Sequence, residues 1–118
     1  MSESLMPRER IRKTNDFTFI YKKGKRFRGR YFTVVYMPNG LEHSRIAVVA
    51  SKKIGNAVER NRVKRRMRNL YRRNKHLLET SLDMVFISKP GAAEADWPAL
   101  SREYFYSVEG ILRKSRFQ

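Results

Sequence analysis

Twenty-four residues from Lys52 to Lys75, KKIGNAVERNRVKRRMRNLYRRNK, hold eleven of the chain's 27 Lys and Arg against one acid, Glu59. The chemistry this run offers is the binding of a polyanion. Guanidinium and ammonium groups at such density repel one another, and phosphates relieve the repulsion. Acid–base and metal chemistry have poorer material. The eleven Asp and Glu are scattered, with Asp16, Asp83 and Asp96 reading as caps or strand residues, and no set converges as a two-metal nuclease needs. His43 beside a turn and His76 at the end of the basic run read either as exposed polar residues or as the acid and base of a metal-free ribonuclease. No His or Cys spacing matches a zinc site, cysteine is absent, and Gly24 and Gly29 do not make a phosphate loop. No catalytic residue, metal ligand or protein-bound cofactor is therefore assigned, and the residues read as those of a binding protein.

The basic run has helical grammar. Gly55 breaks the preceding strand pattern, Asn56 is a good N-cap, and Glu59 lies three residues on, where a capping box places it. Val63, Met67, Leu70, Tyr71 and Leu77 recur at the spacing of one apolar stripe. Arg60, Arg62, Lys64, Arg65, Arg66, Arg68, Arg72 and Arg73 fall on the rest of the cylinder.

Around it the chain supplies further elements. Thr14-Asn15-Asp16 offers N-cap chemistry and Gly24 a C′ residue, framing a helix with Phe17, Ile20 and Tyr21 on one face and Phe19 off it. Phe17 and Tyr21 read either as core or as a groove that stacks on unpaired bases. From Lys25 to Ser51 the period changes to two: a short strand at Arg26–Arg28, a long one at Tyr31–Met37, the Pro38-Asn39-Gly40 turn, and another strand at Arg45–Ser51. Phe32, Val34 and Tyr36 point one way and Tyr31, Thr33, Val35 and Met37 the other, and alternation does not say which aromatics stay open. Leu82–Ile87 reads as a buried strand. Asp96 caps a last helix whose core stripe is Trp97, Leu100, Tyr104, Val108, Ile111 and Leu112. The result is one α+β domain over residues 1–118, an α-β-β-β-α-β-α sandwich with a four-stranded mixed sheet packed by helices. Residues 1–13 read either as a solvated basic arm or as a tail that orders on RNA.

Charge is distributed unevenly over a chain of net charge +16: residues 1–51 carry eleven positive and four negative groups, while residues 79–110 carry two positive and six negative. A one-sided field orients a polyanion as well as attracting it. Absence of cysteine, of an apolar signal region and of any stretch of roughly 20 apolar residues points to a cytoplasmic protein with no membrane association.

Lys53-x-Gly55-x-Ala57-Val58-x-Arg60-Asn61-x-x-Lys64-Arg65-x-x-Arg68, with its central Arg60-Asn61-Arg62, resembles the signature of the protein subunit of bacterial ribonuclease P. The N-terminal Arg-Ile-Arg-Lys segment, the short helix with Phe17, the Lys-Gly-Lys turn and the strands before the motif resemble that family too, and the similarity fades after about Ser88. The resemblance implies a left-handed β-α-β crossover carried by the basic helix, in a fold also seen in the second domain of ribosomal protein S5. It implies that the RNA subunit holds Mg2+ and cuts, while the protein binds that catalytic RNA and the single-stranded 5′ leader of precursor tRNA. Carried over residue by residue, Lys53, Arg60, Asn61, Arg62, Lys64, Arg65, Arg68 and Arg72 face the catalytic RNA. Phe17, Tyr21, Ser51, Lys52 and Asn56, with the sheet aromatics Phe32 and Tyr36, face the leader. Ser51 and Asn56 stand where the family often carries a basic residue. No protein partner is evident.

Three other classes share parts of this pattern. A ribosomal or assembly protein would use the same helix without a Phe17 and Tyr21 groove. A DNA-binding helix module would need a helix-turn-helix or dimer setting. A basic amphipathic helix on a membrane or calmodulin-like partner would need a broader apolar stripe than this one.

Overall fold

A computed structural model describes the backbone of residues 7–116 and the side chains of residues 7–114. The expected order holds: α1 (Thr14–Lys23), β1 (Lys25–Arg28), β2 (Phe32–Pro38), β3 (Arg45–Val49), α2 (Ala57–Asn74), β4 (Leu82–Ser88) and α3 (Trp97–Arg116). Short 3₁₀ turns at Pro7–Glu9, Lys52–Ile54 and Lys75–Leu77 join them. The sheet runs β1-β2-β4-β3, antiparallel except for the parallel β3–β4 pair that α2 connects.

Both faces of the central strands are covered, which is why β4 is an almost unbroken apolar run. One face carries Phe32, Val34, Tyr36, Ile46, Met84 and Phe86 against the α2 stripe and against Leu100, Tyr104, Val108 and Ile111 of α3. On the other face α1 lays Ile20 over Val35 and Val85, joined by Ile11. Asp83 is the buried charged residue in β4. It pairs across the parallel register with Arg45, accepting two hydrogen bonds of 2.8 and 2.6 Å, and it also accepts the Asn39 amide at 2.9 Å.

Several local expectations are corrected. The α1 helix follows Lys13 without a side-chain cap, and Asp16 instead reaches Arg45 at 3.4 Å. Gly24 has an ordinary negative φ of −72°. It is glycine because a Cβ there would stand 2.7 Å from the Ile20 carbonyl oxygen and 2.8 Å from Val35. Leu77 falls off the α2 stripe because the helix ends at Asn74, which leaves Leu77 exposed in the following 3₁₀ turn. Trp97 lies at the rim of the core, its ring under the Arg66 guanidinium at 5.8 Å.

Candidate nucleic-acid interface

Local sequence sets the start of α2 firmly. Gly55 takes a φ of 145°, a value that side chains rarely tolerate. The Asn56 side chain then accepts the Glu59 amide at 2.9 Å while Glu59 accepts the Asn56 amide at 3.0 Å, completing the capping box. With Val63, Met67, Leu70 and Tyr71 buried, the opposite face is turned outward. Lys53, Asn61, Arg62 and Arg65 are exposed; Arg60, Lys64, Arg68 and Arg72 are half-buried. Arg60 donates to the Gly55 carbonyl at 3.0 Å and Arg72 donates to the Asn69 side chain, so both are held in place on the helix.

Arg66 has a different task from its neighbours. Its guanidinium donates to the carbonyls of Ala92 and Ala93 at 3.0 Å and Ala95 at 2.6 Å, tying the β4–α3 loop to the helix. Burial, and then the charge of Arg62, lowers its pKa from the ordinary arginine value. Periodicity puts Arg66 among the outward cations because it cannot see the loop that returns from β4.

The segment read as an arm docks from Pro7 onward, whereas residues 1–6 lie outside the described residues. Arg10 bridges Ile46 on the outer edge of β3, the Ile11 amide donates to the Ile46 carbonyl at 2.9 Å, and Ile11 is buried. Buried Glu9 accepts the Tyr71 hydroxyl at 3.1 Å and the Lys75 ammonium at 3.1 Å. Docking sets Arg10 and Arg12 beside Arg68 and Phe17 in a cleft of about 270 Å³. Burial and then the charge of Arg10 lower the Arg68 pKa from the ordinary arginine value. A lone Glu between two arginines was the available signal for docking, but nothing in it names the partner.

The second site lies on the sheet face that α1 only partly covers. Register places Arg28, Thr33, Ile87 and Val49 in one row across all four strands. Ile20 covers the adjacent row, Val35 and Val85, so this row stays partly open. Phe17 is half-buried beside it and Tyr21 is exposed. The Arg26 guanidinium lies 4.6 Å from the Tyr21 ring centroid and donates to the Tyr21 carbonyl at 3.0 Å. Ser51, Lys52 and Asn56 are exposed at the β3–α2 junction, the Ser51 hydroxyl accepting the Lys53 amide at 3.3 Å.

Two of the proposed leader contacts are corrected. Phe32 is 0% and Tyr36 5% exposed, both on the opposite face of the sheet under α2 and α3. Phe32 meets Phe86 edge-on at 5.7 Å, and neither ring can stack on a base. The residues of β2 that do reach the open side are those of the other parity, above all Thr33. Arg26 and Arg28 share that parity, which their two-residue spacing in β1 made legible.

The carboxylates that the fold positions are already engaged: Asp83 and Asp16 with Arg45, Glu9 with Tyr71 and Lys75, Glu59 and Asp96 as caps. His43 Nε2 lies 3.0 Å from the Arg8 carbonyl oxygen. Among the described residues no group of three His, Cys, Asp or Glu is arranged to hold a metal ion, and no helix is long and apolar enough to cross a membrane.

Comparison with known proteins agrees with this architecture. Residues 5–112 match the family model described as Ribonuclease P. The ribonuclease P protein component of Thermotoga maritima is 40% identical over 94 residues, covering 80% of each chain. The solved ribonuclease P protein of Staphylococcus aureus superposes with a TM-score of 0.77 at 32% identity, covering 88% of this chain and 94% of that one. That of Thermotoga maritima gives 0.77 at 33% identity, covering 85% and 94%. The chain belongs to the ribonuclease P protein family, and its mixed four-stranded sheet with three helices is the fold of those structures.

Proposed function

We propose that the chain, as a member of the ribonuclease P protein family, binds the catalytic RNA of the ribonucleoprotein through the outward face of α2 and holds the 5′ leader of precursor tRNA on the open row of the sheet. The observation that carries this reading is the division of the surface. The cations Arg62, Arg65 and Arg68 lie along α2 with Lys53 in the turn that leads into it, and the row Arg28–Thr33–Ile87–Val49 lies on the sheet face opposite to the one α2 packs against. One element can therefore grip a folded RNA by its phosphates while the other receives a single strand.

Arginine forks suit phosphate oxygens. Phe17 and Tyr21 supply stacking faces along the α1 side of the row, and Arg26 and Arg28 supply charge at its β1 end. Lys52, Ser51 and Asn56 stand where the row meets the start of α2. With no converging carboxylates on the described residues, this reading gives the magnesium ions of leader removal to the RNA. The protein's own residues bind and orient the substrate, and the endonucleolytic step belongs to the assembled particle, in the cytoplasm.

The test is cleavage of a 5′-extended precursor tRNA by the cognate catalytic RNA at low magnesium, with and without the protein. Rescue by stoichiometric protein, lost when Arg62 and Arg65 become Ala, supports the reading. Cleavage by protein alone, or tight binding to other structured RNA with no rescue, overturns it.

A further inference from the structure

A seam between β1 and α3, on the sheet face away from the open row, has a composition that the proposed contacts leave unused. At one end is a cleft of about 320 Å³ lined by Phe27, Tyr31, Tyr106, Arg30 and Arg102. Gly110 then passes close to the Phe27 ring, where a Cβ would make a 3.4 Å contact. At the far end a smaller cavity of about 200 Å³ is lined by Lys23, Lys25 and Lys114. Phe27 and Lys25 have the parity that faces α3, whereas Arg26 and Arg28 face the other side.

Aromatic exposure here exceeds what packing accounts for. Tyr106 is 65% exposed on the same helix that buries Tyr104 completely. The Arg30 guanidinium lies 5.5 Å from the Tyr31 ring centroid, a cation stacked on a ring at the mouth of the cleft. The shape is fixed by Glu103. Its carboxylate accepts the backbone amides of Arg30 and Tyr31 at 2.8 Å and of Phe32 at 3.1 Å. Both oxygens of the one acid in the cleft are thus turned into the turn. Further along α3, Glu109 is matched by Arg113 at 3.6 Å. Cations at both ends, open rings beside those of the first cleft and engaged acids describe a surface for an anionic, flat-faced ligand. Among the described residues β1 is an edge strand, paired with β2 on one side.

We propose that the β1–α3 seam is a second binding track for unpaired RNA, with a base stacked on Tyr106 and Tyr31 and phosphates met by Arg30, Arg102 and the lysines at its far end. A second copy of this chain fits poorly, since each copy carries +16 and the seam presents cations to cations. Stacking on aromatics and backbone tracking by cations require no particular sequence. The track is separate from the leader row and stands or falls independently of it.

A 4-thiouridine-substituted oligouridylate, crosslinked to the full chain in about 150 mM salt and mapped by tryptic peptides, tests the proposal. Crosslinks are expected in the peptide from Glu103 to Arg113, and Tyr106→Ala or Arg30→Ala should lower them about tenfold while crosslinks at Phe17 persist. Both side chains are exposed, so circular dichroism should show the variants folded. No crosslink in that peptide, or an unchanged yield in both variants, overturns it. Loss of the Phe17 crosslinks alone would instead count against the leader reading.

Discussion

The carboxylate of Glu9 and the hydroxyl of Tyr71, 62 residues apart in sequence, meet 3.1 Å apart inside the protein. This bond joins the N-terminal segment to the buried stripe of the basic helix, and Lys75 closes the same acid from the end of that helix. With the Ile11 bond to Ile46, it holds Arg10 and Arg12 beside Arg68. Glu9→Ala removes the Lys75 ammonium's carboxylate and leaves the Tyr71 hydroxyl only the longer bond to the Ser44 carbonyl at 3.5 Å, at a cost of about 1–3 kcal/mol. Urea unfolding should show a lower midpoint. Amide exchange at Ile11 should accelerate, and catalytic-RNA affinity should fall although no cation has been removed.

Arg65 and Arg66 are adjacent and chemically identical, yet their variants should separate. Arg66→Ala strips a charged donor from three carbonyls and should cost about 1.5–3 kcal/mol in urea unfolding, with RNA affinity of the folded protein little changed. Arg65→Ala should alter stability by no more than about 0.5 kcal/mol. It should weaken RNA binding and reduce the salt slope by about one in a filter-binding titration. Equal effects of the two on RNA affinity would mean that the outward face is misassigned.

Binding of the catalytic RNA should be steeply salt-dependent. If six to ten phosphates are neutralised, affinity falls by about 10³ to 10⁵ between about 50 and 200 mM salt. A nearly flat titration would remove the electrostatic role of α2.

Gly55→Ala should be worse than Asn56→Ala. The first forces a side chain into a φ of 145° and against the Glu59 carboxylate, costing about 1–3 kcal/mol. The second loses one cap, about 1 kcal/mol. Thermal melting of both variants checks the order.

Tyr104 and Tyr71 make stability depend on alkaline pH. Burial raises both pKa values, and at Tyr71 the Glu9 charge adds to it. A raised folded-state pKa stabilises fully below the unfolded value of about 10, and that stability is lost as pH rises through the folded value. The melting temperature should therefore fall above about pH 10. Tyr104→Phe should flatten that fall. Because the Tyr104 hydroxyl is buried without a hydrogen-bond partner, Phe should also leave the neutral-pH melting temperature unchanged or raise it by up to about 4 °C.

Helices and strands were legible wherever a local rule decided them. The capping box at Asn56 and Glu59, the α2 stripe from Val63 to Tyr71 and the Asp96 cap, whose side chain accepts the Ala99 amide at 2.8 Å, are interactions of near neighbours. Alternation in β2 was equally legible, but its sign was not. The two faces of that strand differ little in apolarity, and only the placement of α2 and α3 over Phe32, Val34 and Tyr36 makes theirs the closed one.

The sequence by itself determined the elements, their order and the RNA-binding character, because hydrophobic period, caps and charge density act over three or four residues. It also determined the family, through the spacing from Lys53 to Arg68. Tertiary structure alone decided which cations are available and which aromatics are open. Arg66 is consumed by a loop 26 to 29 residues away, Glu9 by a helix 62 to 66 residues away, and the row from Arg28 to Val49 exists only once four strands are in register. Long-range pairing follows from chain topology, and two adjacent arginines meet different atoms when the chain returns.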